Sequence, residues 1–278
     1  MSINYLDRDK DFLELKRKIL KECGLDCSQY KDSYLSRRFA IRMRARGASC
    51  YKDYLSILER NPEEYDALLN DLTINVTQFF RDPPVFKALE DEIIPILIYE
   101  KVMKDEGSIH IWSAGCSSGE EPYSVAMMIS ELLSDQAESF DIRILATDID
   151  ESILEKALEG KYHPKQLVSV PDNYINKYFI FDGDFYRITD SIKDMVDFKK
   201  MDLISQSPKG CFDMILCRNV VIYFTRKMQE TLYMKFYNFL REGGYFVMGN
   251  TETLLGEASK FFIPINSKGR IYKKKDIN

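Results

Sequence analysis

Histidine is the scarcest chemistry in this chain. Only His110 and His163 occur in 278 residues, so a mechanism that needs an imidazole base has almost no candidates. His110 lies in the apolar stretch "SIHIWSA" and reads as structural. Six cysteines (Cys23, Cys27, Cys50, Cys116, Cys211 and Cys217) fall at irregular spacings, and none forms a CxxC pair. With so few histidines beside them, no metal site is expected, and the thiols read as reduced and partly buried. No apolar run approaches the roughly 20 residues of a membrane span. Basic residues do not dominate either: 39 Lys and Arg face 44 Asp and Glu, a formal net charge of −5, so bulk electrostatics do not suggest nucleic acid. The opening stretch "MSINYLDRDKDF" lacks the apolar core of a secretion signal, and the expected location is the cytoplasm.

What is present is ordered in two textures. Residues 1 to about 74 read as helical. "DFLELKRKILKEC" carries Phe12, Leu15, Ile19 and Leu20 at helical spacing, with Gly24 after its end. "DSYLSRRFAIRMRARG" is a second helix stopped by Gly47, and "SCYKDYLSILER" a third. "NPEEYDALLNDLT" is a fourth, with Asn61 as its cap and Pro62 in its first turn. Pro83 and Pro84 then mark a boundary or linker. Beyond them buried strands alternate with amphipathic helices: "SIHIWSA", "PYSVAMMISELL", "DIRILATDID", "ESILEKALEG", "CFDMILCRN", "RKMQETLYMKFYNFL" and "GGYFVMGN". That rhythm predicts an α/β fold, a doubly wound parallel sheet over residues 75–278. "FFIPINSKGRIYKKK" adds an antiparallel edge. Residues 161–200 interrupt the rhythm with two short strands around "DGD", which predicts an inserted antiparallel β-subdomain.

The junction "WSAGCSSGEEPYS" is a strand, a turn and a helix start. Such junctions usually seat a phosphate on glycines and a helix N-terminus. Here Gly115 and Gly119 are followed at once by Glu120 and Glu121, and two carboxylates would repel a phosphate. The pair also complements a helix dipole with no ligand at all. Asp148 ends an apolar strand one βα unit later, where an acid can accept hydrogen bonds from both hydroxyls of a ribose. Asp150 is the better cap for the next helix, which leaves Asp148 without a local task. A ribose-bearing ligand with a cationic end fits both features, and S-adenosylmethionine is such a ligand.

"NVTQFFRD", "WSAGCSSGEEPYSVA", "ATDID" and "FDMILCRNVVIYF", in this order and at these separations, resemble the chemotaxis receptor methyltransferases (the CheR family). The resemblance covers nearly the whole chain. It implies an S-adenosylmethionine-dependent methyltransferase with a Rossmann-like sheet, an N-terminal all-helical receptor-docking domain over 1–74 and the β-subdomain insert. It implies methyl transfer to glutamate carboxylates on the cytoplasmic helices of chemoreceptors, leaving S-adenosylhomocysteine. The enzyme would then be cytoplasmic and recruited to membrane receptors without inserting itself in the membrane.

Carried over where the motifs match, the implied cofactor contacts are Asn75, Thr77 and Arg81 of "NVTQFFR", a glutamate of "GEEP", Asp148, Asp202 and Leu203 of "KKMDLI", and Arg218 and Asn219 of "CRNVVIYF". Glu121 is the chosen glutamate, with Glu120 as its alternative. Asp202 stands where the family often has Asn. Arg81 and Tyr223 are the implied catalytic residues: Arg81 or Arg218 would orient an incoming carboxylate, and Tyr223 would donate a hydrogen bond or shape the wall. A glutamate of ordinary pKa, about 4.3, is already ionised at neutral pH, so no general base is required. Approach and orientation then carry the catalysis.

Substrate docking points to residues 31–46, which hold Lys31, Arg37, Arg38, Arg42, Arg44 and Arg46 against one acid, Asp32. The basic helix suits a Glu-rich receptor helix. The inserted subdomain binds a receptor's C-terminal peptide in some family members. The tight turn in "YFIFDGDFYRI" lacks the longer loop of those members and argues against tethering. Two other readings are weighed: a catalytically idle module that senses S-adenosylmethionine or docks a receptor, and a methyltransferase for RNA or an amine. Against the last, no NPPY-type clamp follows "FDMILCRN".

Overall fold

A computed structural model describes residues 5–133, 140–254 and 256–276. Its contacts divide the chain into two compact units, one of residues 1–74 with 223–228 and one of residues 75–222 with 229–278.

The first unit is helical: α1 (Tyr5–Cys23), α2 (Asp32–Ala45), α3 (Tyr51–Arg60) and α4 (Glu64–Leu72). Leu15, Ile19, Leu35, Phe39, Tyr54, Leu58 and Leu68 fill its core, whereas Leu20 is exposed. Gly47 ends α2 in the left-handed region at φ 68°, where a side chain would be strained. Asn61 does not cap α4. Its carbonyl instead accepts the Glu64 N–H at 3.0 Å in a turn, and the helix begins at Glu64, whose carboxylate is drawn inward by Arg42. The segment 223–228 is tied to this unit by two hydrogen bonds: Lys31 N–H donates to Tyr223 O at 2.9 Å and Thr225 N–H to Gln29 O at 2.7 Å.

The second unit opens with α5 (Pro83–Ala88) and α6 (Ile94–Met103). Pro83 and Pro84 therefore start a helix and are not a linker. Their missing N–H groups cost nothing in a first turn. The chain continues through β1 (Ser108–Ala114), α7 (Glu120–Leu133), β2 (Asp141–Asp148), α8 (Glu151–Glu159), β3 (Lys161–Tyr162), α9 (Asp172–Tyr178), β4 (Phe179–Phe181), β5 (Tyr186–Ile188) and α10 (Asp190–Lys193). It then forms β6 (Val196–Lys200), β7 (Phe212–Cys217), α11 (Arg226–Phe239), β8 (Leu240–Met248), β9 (Phe262–Asn266) and β10 (Ile271–Lys274).

Seven strands form the main sheet in the order β6-β2-β1-β7-β8-β10-β9. The first five are mutually parallel, and β10 and β9 close the edge antiparallel. The order reverses between β1 and β7, so the topological switch point lies there, at the carboxyl ends of the strands. On one face Ile109, Ile111, Ile144, Met214 and Leu216 pack under α7 and the α5–α6 segment. On the other, Trp112 packs on Phe212, Phe236 and Phe239. Among the described residues no helix is long and apolar enough to cross a membrane.

The insert is a small sheet in the order β3-β5-β4, with a tight turn in which Phe185 N–H donates to Asp182 Oδ1. It is shorter than the expected 161–200. Val196–Lys200 is β6, paired parallel to β2 from Ile144↔Val196 to Asp148↔Lys200. Val196 and Phe198 alternate onto the core, which pulls that stretch out of the insert and into the main sheet.

Candidate active site

The carboxyl end of β2 is the hub. Asp148 is 9% exposed, and its carboxylate accepts Ser117 N–H at 2.8 Å through Oδ2 and Asp150 N–H at 3.1 Å through Oδ1. It therefore has a local task that the sequence did not reveal: it fixes the glycine loop after β1. Ser117 takes φ 51° there and Gly115 φ 84°. Two N–H donors use about half of a carboxylate's four lone-pair sites, so the remainder suits a vicinal diol. Burial pushes the Asp148 carboxyl above its ordinary value, against the two N–H groups. Asp150 is the cap of α8, accepting Ile153 N–H, and its Oδ2 also accepts Asn75 Nδ2 at 2.7 Å.

The β7 end supplies Arg218 and Asn219. The Arg218 side chain is 2% exposed, with NH1 3.1 Å from Glu121 Oε2 and NH2 2.8 Å from Asp82 Oδ2. NH2 also donates to the Arg81 carbonyl at 2.7 Å, and the guanidinium lies 5.3 Å from the Phe86 ring centre. Arg218 is thus a buried rivet between α7 and the segment before α5. Its charge is already committed, so it does not share the orienting of an incoming carboxylate. Glu121 also accepts Ser113 Oγ at 2.8 Å. Glu120 is buried, accepts Ser118 Oγ at 2.7 Å, and has its carboxyl raised by that burial.

Arg81 sits between two left-handed residues, Phe80 at φ 52° and Asp82 at φ 62°. Such backbone is rare for non-glycine residues and is held only by its surroundings. Here Phe80 N–H donates to Ser124 Oγ at 3.1 Å and Arg218 holds the other side. The Arg81 side chain folds back to donate to Val76 O at 2.6 Å. Thr77 is half-buried within the same segment.

Met201 N–H donates to Asp148 O at 2.8 Å, bringing Asp202 and Leu203 to the same strand end. Asp202 spends its carboxylate locally, on Ile204 N–H at 2.9 Å and Ser205 Oγ at 2.6 Å. Leu203 is buried, and its carbonyl accepts Lys235 Nζ at 2.8 Å. A continuous network of hydrogen bonds and ion pairs therefore runs through Asn75, Asp150, Asp148, Ser117 and Met201, and another through Ser113, Glu121, Arg218 and Arg81.

The two networks meet at the glycine loop. A Cβ on Gly115 would lie 2.3 Å from Val220 Cγ2, so the turn after β7 rests directly on that loop. Among the described residues three buried polar atoms here have no partner: Ser117 Oγ, Arg218 Nε and Asn219 Oδ1. Unpaired buried groups are costly, and the open Ser117 Oγ, on the loop that Asp148 holds, fits a polar, ribose-bearing ligand. Sequence reasoning passed over Ser117, Asp82 and Glu252. Glu252 is 3% exposed and lies just past the β8 end. It stands four residues beyond an apolar strand, in "GNTETLL", so the strand-end signal that singled out Asp148 did not reach it.

Within the first unit the arginines of α2 divide. Arg37 and Arg44 are exposed. Arg38 is half-buried, its guanidinium 5.8 Å from the Tyr34 ring centre. Arg42 faces inward, with NH2 2.7 Å and Nε 2.9 Å from Oε1 of Glu64, itself 3% exposed. Arg46 Nε lies 3.4 Å from the same carboxylate. Arg42 is therefore a core ion pair and not a docking group. Tyr223 stacks on Tyr34 at 4.7 Å in this unit.

A family model described as "CheR methyltransferase, SAM binding domain" matches residues 75–270, and one described as "CheR methyltransferase, all-alpha domain" matches residues 10–73. The chain belongs to the CheR methyltransferase family. It is 33% identical over 261 residues to a chemotaxis protein methyltransferase of Listeria monocytogenes, covering 94% of this chain and 97% of that one. It is 36% identical to one of Borreliella burgdorferi, covering 86% and 87%, and 30% identical to one of Escherichia coli, covering 88% and 84%. A solved N-methyltransferase, NodS of Bradyrhizobium japonicum, overlays with a TM-score of 0.36 at 12% identity, over 71% of this chain and 91% of that one. This CheR protein is accordingly an S-adenosylmethionine-dependent methyltransferase of chemotaxis, with the all-helical domain and Rossmann-like sheet expected of it. All six cysteines are free thiols, and burial raises those of Cys116 and Cys217 well above their ordinary value.

Proposed function

We propose that this chain esterifies glutamate side chains of chemoreceptor cytoplasmic helices. The observation that carries the reading is the Asp148 hub: a buried carboxylate at the carboxyl end of β2, with acceptor capacity left over and the unpartnered Ser117 Oγ on the loop it holds. In this reading Asp148 takes the ribose hydroxyls, Asn75 and Thr77 line the pocket, and Leu203 covers the adenine. Asp202 contributes the turn that presents Leu203 and no hydrogen bond of its own to the base. Glu121, Arg218 and Asn219 hold the wall on the β7 side.

Bound S-adenosylmethionine supplies a methyl group on a cationic sulfur, open to displacement by a carboxylate oxygen. The protein's share is orientation and the exclusion of water, which suits a chain with two histidines. Arg81 is the substrate-orienting group: its guanidinium has five N–H donors, and one bond to Val76 O parks it. Arg37 and Arg44, exposed on one face of α2, seat an acidic helix, and Arg38 and Arg46 add positive charge beside that face. The recruitment to membrane receptors is electrostatic, through that face, with no membrane insertion and no role for nucleic acid. The tight turn at Asp182–Phe185 supports an enzyme that works without a C-terminal receptor tether. Tandem mass spectrometry of a receptor cytoplasmic fragment after reaction tests this: methyl groups on glutamates support it, and methyl groups on lysine or arginine nitrogens refute it.

A further inference from the structure

Glu252 follows β8 by four residues and is buried at 3% exposure. Its Oε2 accepts Gly249 N–H at 2.6 Å and its Oε1 accepts Val220 N–H at 3.1 Å. These N–H groups leave the ends of two paired strands, β8 and β7, which are in register at Cys217↔Met248. Only a carboxylate offers two acceptor atoms on one short side chain; a glutamine would answer one N–H and present its own to the other. In the turn after β7 lies Asn219, left-handed at φ 61° with Oδ1 buried and unpaired. Gly249 is packed so closely that a Cβ there would sit 2.8 Å from Asn219 N and 3.2 Å from Asn219 Nδ2.

An ordinary turn could be closed without burying an acid, which is expensive. The geometry points to Glu252 as a positioning residue for cofactor binding: it clamps the turns after β7 and β8 together, so that Asn219 is held in left-handed backbone with its amide oxygen presented to the ligand. This rests on the assignment of Asn219 as a cofactor contact. The charged and titratable groups around Glu252 are Arg218, which favours its ionised form, Glu121, which opposes it, and the Cys217 thiol and Tyr233 hydroxyl, whose own ionisation it opposes. Burial pushes its carboxyl up to about 7, so the clamp is fully charged only above neutrality.

The test is calorimetric titration of the full chain with S-adenosylhomocysteine at pH 8, on wild type, Asn219→Ala, Glu252→Gln and the double variant. Each single change is expected to weaken binding by roughly tenfold, the scale of losing a group that orients a direct contact. The double variant should bind within about twofold of Asn219→Ala, because residues acting through one another are not additive. Wild-type affinity should also fall from pH 8 to pH 6 more steeply than that of Glu252→Gln. Unchanged binding by Asn219→Ala would remove the underlying cofactor contact. Weakened Asn219→Ala with unchanged Glu252→Gln, or fully additive losses, would overturn the clamp. If Glu252→Gln does not fold, Gly249→Ala carries the test, because its Cβ would lie 2.8 Å from Asn219 N and 3.0 Å from Glu252 Oε2 and so press on both members of the clamp, and its wild-type affinity would count against the proposal.

Discussion

Arg218 NH1 lies 3.1 Å from Glu121 Oε2, bridging the end of β7 to the first turn of α7. The same guanidinium reaches Asp82, so one buried cation answers two acids from separate elements. Removing one partner of a buried ionic cluster strands the others. Arg218→Ala should lower stability by about 3 kcal/mol and the thermal midpoint by several degrees. An unchanged midpoint in a thermal scan would show that the cluster is solvated and not structural.

Asp148→Ala should weaken S-adenosylhomocysteine binding by about 10- to 100-fold, the loss of hydrogen bonds to a charged group. It also releases Ser117 N–H and the glycine loop. Calorimetry on the purified chain checks this, and wild-type affinity would refute the ribose assignment.

The arginines of α2 should separate by burial. Arg37→Glu with Arg44→Glu leaves folding and cofactor affinity intact and slows methylation of receptor fragments at low salt by about tenfold, an effect that fades as salt screens it. Arg42→Glu places like charge against Glu64 and destabilises the helical unit itself. Equal turnover of the Arg37/Arg44 variant at low salt would remove the docking role.

Glu252 also predicts a pH dependence of stability. Its folded carboxyl is raised from 4.5 to about 7 by burial. Between those values the folded chain keeps a proton that the unfolded chain has lost. Its contribution is therefore fully present below about pH 4.5 and is lost as pH rises through about 7. Glu120 and Asp148, raised for the same cause, act in the same direction. In urea titrations at pH 5 and pH 8, Glu252→Gln should show a smaller loss of stability with pH than wild type, by about 3 kcal/mol. Parallel losses in the two proteins would contradict this.

Much of the fold was legible because its period was plain. Alternating strands and helices announced the sheet, and Gly24 and Gly47 announced two helix ends. What misled was context. Pro83 and Pro84 look like breakers but serve as a first turn, and Val196–Lys200 looked like part of the insert until β2 offered it a parallel partner. At the site, Asp148 could be named from its strand-end position, and Arg218 and Asn219 from the resemblance carried by "CRNVVIYF". Their partners could not. That Arg218 is consumed by Glu121 and Asp82 and that Arg42 faces Glu64 depend on contacts far apart in sequence, whereas Asp202 is spent on its own turn, on Ile204 N–H and Ser205 Oγ. A helical wheel gives a residue's angle and not what waits at that angle.

The most direct measurement is methyl transfer from labelled S-adenosylmethionine to a chemoreceptor cytoplasmic fragment, followed by mild alkali. Release of the label as volatile methanol is the predicted result, because only a carboxyl ester is cleaved that way. Label that survives alkali on the protein would mean a nitrogen product and would contradict the glutamate reading.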